Sequence, residues 1–387
     1  MKNNRTFLEK LLDGAEVEWK PLSLVTEMQR GKTITAKSAN EGNIPVISGG
    51  QKPAYYHNES NRDGKTITVA GSGAYAGYIM YWEEPIFVSD AFSIKTDESL
   101  LQIKYVYHFL LQNQQKIYAM KKGSGVPHVY PKDIGTLMIP IPPLPVQTEI
   151  VKILDALTAL TSELTSELTL RRKQYEYYRE KLLSEEELIK LGATTENLGD
   201  ITSITSGGTP STKEPAYWVE GNIPWIKSES CKNKLIDEIK HHITEMGLQN
   251  SNAKLLSPNT TLMAMVGATI FKTAFLPFEA TTNQNIAAIK SKNELSITDK
   301  FIFYYLTNMY DFFISKLSGY NMVNLSQIKN IKILLPPLEE QQRIVSILDK
   351  FEALTNSITE GLPLAIEQSQ KRYEYYRELL LNFPGRE

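Results

Sequence analysis

Cysteine is nearly missing from this chain of 387 residues: Cys231 stands alone, which excludes an internal disulfide and any zinc cluster built on cysteine. Long apolar runs are missing as well. No stretch approaches the ~18 residues a membrane span needs, and residues 1–20 mix charged and apolar types as no secretory leader does. Together these absences predict a cytoplasmic protein. Nor is there an excess of one charge. Forty-two basic and 44 acidic residues give a net charge of −2, so the total carries no strong attraction to polyanions. Hydrophobic residues at 42% and aromatics at 10%, with 22 Gly and 19 Pro, exclude a disordered, collagenous or purely coiled-coil chain. The length predicts two or three folding units.

The chain repeats itself. A shift of 194 places Ser124-Gly125 on Ser318-Gly319, Val129 on Val323, Ile139 on Ile333 and Pro142-Pro143-Leu144 on Pro336-Pro337-Leu338. It then carries Gln147, Ile150, Val151 and Ile153-Leu154-Asp155 onto Gln341, Ile344, Val345 and Ile347-Leu348-Asp349, and 17 of the 38 positions from 124 to 161 are identical. Tyr175-Glu-Tyr-Tyr-Arg-Glu180 returns as Tyr373-Glu-Tyr-Tyr-Arg-Glu378 at a shift of 198, so the second copy holds four extra residues, about one helical turn. Farther upstream the similarity thins to Gly42-Asn-Ile-Pro45 against Gly221-Asn-Ile-Pro224.

Each repeat reads as a mixed domain followed by a long helix. Thr66–Ala70, 86–89 and 261–266 have strand character, helical patterns cover about 100–121 and 297–317, and glycine turns stand at 48–50, 71–73 and 206–208. From Pro145 to Leu183, apolar residues including Ile150, Leu154, Leu157, Leu160, Leu164, Leu168, Tyr175 and Tyr178 keep three- and four-residue spacing. The stripe returns from Leu338 to Phe383, interrupted at Gly361-Leu362-Pro363, where proline predicts a break. The expected fold class is therefore α/β (α+β): two pseudo-symmetric domains separated by two long antiparallel coiled-coil helices. The expected boundaries are an N-terminal helical segment at 1–14, domains at 15–142 and 195–335, and helices at 143–194 and 336–387.

At this point the chain resembles the specificity subunits of type I restriction-modification systems, over nearly its whole length. The resemblance rests on the Pro-Pro-Leu…Gln…Ile-Val…Ile-Leu-Asp entry to each helix and the Tyr-Glu-Tyr-Tyr-Arg-Glu near each exit. The tandem Thr161-Ser-Glu-Leu164 and Thr165-Ser-Glu-Leu168 resembles the tetrapeptides of the type IC branch, with Ser in place of Ala. The resemblance implies two target-recognition domains, each reading one half-site of an asymmetric bipartite double-stranded DNA target, with the helices setting the spacer. It implies a chain that performs no reaction itself and joins two modification (methyltransferase) subunits and two restriction (ATP-dependent translocase and endonuclease) subunits. S-adenosylmethionine, ATP and Mg are expected in those partners.

Charge fits that division of labour. Segments 15–142 and 195–335 each hold 13 basic and 12 acidic residues, so neither has the footprint of an autonomous DNA binder, and a partner is expected to supply phosphate contacts. Polar glycine turns with nearby lysines are the expected DNA-binding residues. In the first domain these are Gly31, Lys32, Lys37, Ser48, Gly49, Gly50, Ser72, Gly73, Tyr75, Lys121, Lys122 and Ser124. In the second they are Gly207, Gly208, Lys213, Lys227, Ser228, Lys272, Ser318, Asn321 and Asn324. Chain reversal alone is the competing role for each glycine turn. Tyr175, Tyr177, Tyr178 and Arg179, with Tyr373, Tyr375, Tyr376 and Arg377, are the expected partner-binding residues, because Tyr and Arg are favoured interface anchors. For Tyr178 and Tyr376 the competing role is to complete the helix-pair core.

Catalytic motifs fail on spacing. Gly31-Lys32-Thr33 lacks the upstream glycine of a phosphate loop, since position 26 is Thr26, and Gly71, Gly73 and Gly77 miss the dinucleotide fingerprint by one residue. His241-His242 has no spaced ligand partners. No Asn-Pro-Pro-aromatic or Asp-Pro-Pro-aromatic tetrapeptide of the adenine-methyltransferase kind occurs. The rival reading is a two-domain scaffold that organises proteins without touching bases.

Overall fold

The computed structural model describes residues 7–316, 322–357 and 359–383. The chain divides into two compact units that interleave along the sequence. Unit 1 is Met1–Ser166 with Leu364–Glu387, and unit 2 is Glu167–Pro363. Five helices of ten residues or more lie among the described residues: α1 (Ile103–Gln112), α2 (Leu144–Leu182), α3 (Asp299–Asn308), α4 (Leu338–Asn356) and α5 (Gly361–Leu381). A short helix at Phe7–Leu12, with Leu8 buried, precedes them.

Unit 1 is built on a four-stranded antiparallel sheet in the order Glu27–Arg30, Ala91–Lys95, Thr66–Ala70, Ile79–Trp82. The strand Thr66–Ala70 is buried along its whole length, so its threonines need partners. The Thr68 hydroxyl accepts from the Trp82 indole at 2.9 Å, and the Thr66 hydroxyl donates to the Gly64 carbonyl at 2.9 Å. A three-stranded sheet sits beside it: Ile44–Ile47 pairs antiparallel with Tyr55–His57 and parallel with Phe87–Val88. α1 buries Ile103, Val106, Phe109 and Leu110 in the core that holds Ile67, Val69 and Ile94.

Unit 2 repeats this plan. Its main sheet runs Thr202–Ser206, Ile286–Ser291, Thr260–Ala264, Thr273–Leu276, and gains a fifth strand, Lys234–Leu235, parallel to the last. The strand Ile223–Ile226 pairs with His242–Ile243 and, in parallel, with Thr281–Thr282. α3 contributes Phe301, Ile302, Phe303 and Tyr304, all almost fully buried.

Each domain is fastened to the helix that follows it by one glutamine. Gln147, fully buried near the start of α2, accepts the Gln102 backbone N–H at 2.9 Å and donates to the Leu100 and Pro142 carbonyls. Gln341 in α4 accepts from Thr298 N–H at 2.9 Å and donates to the Ser296 and Pro336 carbonyls. Side chains that satisfy three backbone groups explain why these two positions share an identity: a shorter residue would leave buried groups unpaired, at about 1–3 kcal/mol each.

Farther along, each unit pairs two helices antiparallel. In unit 1, His108 of α1 bonds Asp155 of α2 through Nε2 at 2.9 Å and the Tyr373 hydroxyl of α5 through Nδ1 at 3.0 Å, and Thr161 meets Ser369 at 2.8 Å. In unit 2, Tyr304 donates to Asp349 at 2.6 Å, and Tyr175 and Tyr178 of α2 pack on Phe351 of α4. Lys104 and Lys300 neutralise Asp155 and Asp349 from equivalent places, each at 2.9 Å or less. Burial works against ionisation of Asp155, but its bonds to His108 and Lys104 outweigh it and hold its pKa below the usual carboxylate range.

Two sequence expectations change here. Leu160, placed on the packed stripe, is 40% exposed. The extra residues of the second copy do not lengthen one helix: α4 ends at Asn356 and α5 begins at Gly361, so the insertion falls between two helices. Gly361 closes that interruption with φ +77°, and a Cβ there would meet the Ala353 carbonyl oxygen at 2.5 Å, so glycine is required on both counts.

Candidate functional site

In unit 1 the glycine turns converge. A Cβ on Gly49 would lie 2.6 Å from the Ser72 carbonyl oxygen. Ser72 pairs as an isolated bridge with His128, Gly73 N–H donates to the Pro127 carbonyl, and Lys121 Nζ donates to the Ala74 carbonyl at 3.1 Å. The Ser72 hydroxyl also donates to the Asp90 carboxylate. Loops 48–50, 71–75 and 121–128 thus form one surface with Tyr75, Lys122 and Ser124 exposed on it. Beside it a hollow of about 130 Å³ is lined by Arg30, Thr33, Asp90, His128 and Tyr130. Arg30 lies over the Tyr130 ring, 5.4 Å from its centre, a cation held where phosphate or a base can reach it.

Several expected contacts turn out to serve the fold. A Cβ on Gly31 would collide with the Ser89 and Val88 carbonyls, and one on Gly207 with the Thr282 carbonyl. Gly207 and Gly208 are buried, the latter against Asn252 and Ala253, and Gly31 also lines the hollow beside Arg30, so all three glycines allow close backbone packing. Asn324 caps the helix Leu325–Lys329 in a reciprocal capping box with Gln327. Lys121 is pinned by the Ala74 carbonyl and the Tyr118 ring, 4.6 Å away, and Lys122 is paired with Asp133 at 2.8 Å. Gly50 is half-buried, and Lys32 and Lys37 are exposed.

In unit 2, Lys227 and Ser228 follow the strand Ile223–Ile226 just as Ser48 and Gly49 follow Ile44–Ile47. Trp225 organises this region: its indole donates to the Gly208 carbonyl at 3.0 Å, Trp218 packs edge-on at 5.0 Å, and Lys227 lies over its ring at 5.7 Å. His241 packs on the same ring, which gives it a packing role. Lys213 is exposed, and Lys272 lies 5.9 Å over Tyr310. Ser318 and Asn321 fall outside the described residues.

The repeated tyrosine motifs split by function. Tyr175 is buried in the unit 2 core, and Tyr373 is half-buried against His108 in unit 1. Arg179 and Arg377 lie over these rings at 5.6 and 5.0 Å. Burial, with Glu352 beside it, holds the Tyr175 hydroxyl well above the ordinary tyrosine range. These four residues tie each motif into its own unit. Tyr177 and Tyr375 are the most open members, 58% and 62% exposed, each edge-on to the next tyrosine at 5.4 Å, and Tyr178 and Tyr376 are exposed beside them.

Asp90, Thr209, Gln284, Trp218 and Trp225 were not singled out by the sequence. The signal for two of them was present: the shift of 194 that aligns the strands also carries position 90 onto 284. Among the described residues no group of three His, Cys, Asp or Glu is placed to hold a metal ion, and no helix is long and apolar enough to cross a membrane.

Comparison with known proteins adds the family. A model described as the type I restriction modification DNA specificity domain matches twice, at residues 16–170 and 192–368. A Haemophilus influenzae chain named as a type I restriction enzyme specificity subunit is 39% identical, over 99% of this chain and all of that one. The EcoR124I/EcoR124II specificity subunit of Escherichia coli is 33% identical, over 98% and 97%. The crystal structure of a type I restriction-modification S subunit from M. genitalium has the same fold, with a TM-score of 0.63 at 17% identity over 97% of this chain and 98% of that one.

Proposed function

This chain belongs to the type I restriction modification DNA specificity family, and from that premise we propose how it divides the work: each unit reads one half-site of a bipartite DNA target, and the helices between them fix the spacer. The observation that carries the reading is one scaffold used twice with different loop chemistry. Strand order, the glutamine clamp and the antiparallel helix pair recur in both units, while the loops beyond the strands differ: Ser48-Gly49 in one, Lys227-Ser228 in the other. A repeated frame with divergent tips is what two reading heads for two different sequences require.

The chain itself catalyses nothing in this reading. Tyr177 with Tyr178, and Tyr375 with Tyr376, dock one modification subunit each, and two restriction subunits join the full assembly. S-adenosylmethionine, ATP and Mg belong to those partners. The chain's balanced charge supports this, since DNA affinity then depends on positive surface supplied by the assembly. The complex acts on chromosomal and incoming DNA in the cytoplasm.

The test is to map methyladenine in the host genome with the gene intact and deleted. A bipartite methylated motif is expected to vanish on deletion. A motif that persists, with modification subunits still expressed, returns the chain to a scaffold role.

A further inference from the structure

In each unit one short connection leads from the three-stranded sheet back into the main sheet, and its backbone is held by matching bonds. Ser89 N–H donates to the Ile47 carbonyl at 2.8 Å, and Asn283 N–H to the Ile226 carbonyl at 3.0 Å. Lys32 N–H donates to the Val88 carbonyl and Gly208 N–H to the Thr282 carbonyl, both at 2.9 Å. Val129 N–H meets the Gly71 carbonyl at 3.0 Å, and Val323 N–H the Met265 carbonyl at 2.9 Å. On this shared frame the connection reads Ser89-Asp90 in unit 1 and Asn283-Gln284-Asn285 in unit 2.

The first residue of each is buried and occupied. The Ser89 hydroxyl accepts from Ile34 N–H, and the Asn283 side-chain oxygen from Asn285 N–H. The next residue is exposed in both units. Asp90 stands between two glycines: a Cβ on Gly49 would be 3.7 Å from its Oδ2, and one on Gly71 3.4 Å from its Oδ1, so two absent side chains leave the carboxylate bare. No cation pairs with it among the described residues; the Ser72 hydroxyl holds it. Gln284 is held in the same manner by a hydroxyl, accepting from Thr209 at 2.6 Å.

We propose that Asp90 and Gln284 are specificity-determining residues, one per unit, each reading the edge of a base; the assignment rests on the reading of this chain as a DNA specificity subunit. A carboxylate beside phosphates repels them, so a bare one on a loop surface that meets DNA is placed for a base amino group. Having acceptors only, Asp90 selects a base that presents an amino hydrogen, with cytosine N4 the favoured partner. Gln284 offers a donor and an acceptor, the pair that matches N7 and N6 of adenine. The hydroxyls of Ser72 and Thr209 are positioning groups that fix each side chain before DNA arrives.

The experiment uses this chain assembled with its modification subunits and a DNA pool in which each half-site position is randomised, with methylated molecules sequenced. Asp90→Asn is expected to reduce discrimination about tenfold at one base pair of one half-site, leaving the other half-site and the spacer unchanged. Gln284→Glu is expected to do the same in the opposite half-site. Ser72→Ala is expected to weaken the Asp90 position and no other. Base preferences unchanged at every position, or methylation lost equally at all of them, would overturn the assignment. An unsubstituted complex that methylates without sequence preference would instead overturn the specificity reading on which it rests.

Discussion

Glu352 is a half-buried carboxylate in unit 2 that accepts from the Asn356 amide at 3.0 Å, with Tyr175 nearby. Burial raises its pKa, Asp349 adds to the rise, and these outweigh its hydrogen bonds and nearby Lys300. A carboxyl raised in the folded state gives stability that is complete below the ordinary glutamate pKa of about 4.3 and is lost as pH rises through the folded value. Glu352→Gln keeps an acceptor and removes the charge. It is expected to raise the melting temperature at pH 7 by a few degrees, ~2–4 °C per kcal/mol, and to give no gain near pH 4; calorimetry at the two pH values checks both. Single residues were also where the sequence was least legible. Gly207 and Gly208 look like ligand-facing turn residues because a glycine turn and a close-packing glycine have the same letters. Asn324 reads as polar and free because its capping partner, Gln327, shows only once the helix start is fixed.

The helices were the most legible elements, since apolar spacing survives in the sequence, yet their ends were not. The expected helix over 143–194 stops at Leu182, and Ser184 caps a separate short helix at Glu185–Lys190. The pattern over 100–121 resolves into two helices around Asn113, whose side chain bonds the Phe109 carbonyl; periodicity alone does not register such a break. The tandem Thr-Ser-Glu-Leu repeat straddles the division between units, which falls at Ser166 and Glu167 inside α2. Removing Thr165–Leu168 shortens α2 by ~6 Å and turns its far end by about 40° beyond a whole turn. One base pair is ~3.4 Å and roughly 34–36°. The deletion is expected to shorten the accepted spacer by about one base pair with both half-sites unchanged. Methylation mapping of the deleted form checks this, and an altered half-site with the old spacer would count against the ruler.

On the scale of the whole molecule, the internal repeat announced two related domains with long helices, but not the exchange of helix ends. The linear boundaries expected from sequence list each helix as a segment of its own. Unit 1 instead takes the start of α2 and most of α5, and unit 2 takes α4 and the end of α2. Identity between repeats says which segments are alike and nothing about which of two identical ends packs on which domain. The exchange leaves Tyr177 and Tyr375 on different units, so their effects should separate. Tyr177→Ala or Tyr375→Ala alone is expected to leave one modification subunit bound, and the double substitution none, as read by native mass spectrometry. Unchanged stoichiometry in the double variant would remove the tyrosines from the interface.

Where α5 begins at Gly361, unit 2 is almost finished, and this helix then returns to a domain whose other residues ended at Ser166. During synthesis, therefore, the second unit has its full set of residues first, and the first unit waits. His108 and Asp155 emerge early and stay without Tyr373 until more than 200 further residues have been made. A premature stop just after Pro363 would spare the later unit and strip the earlier one of the Leu380, Leu381 and Phe383 in its core, so damage late in the sequence is felt in the domain made first.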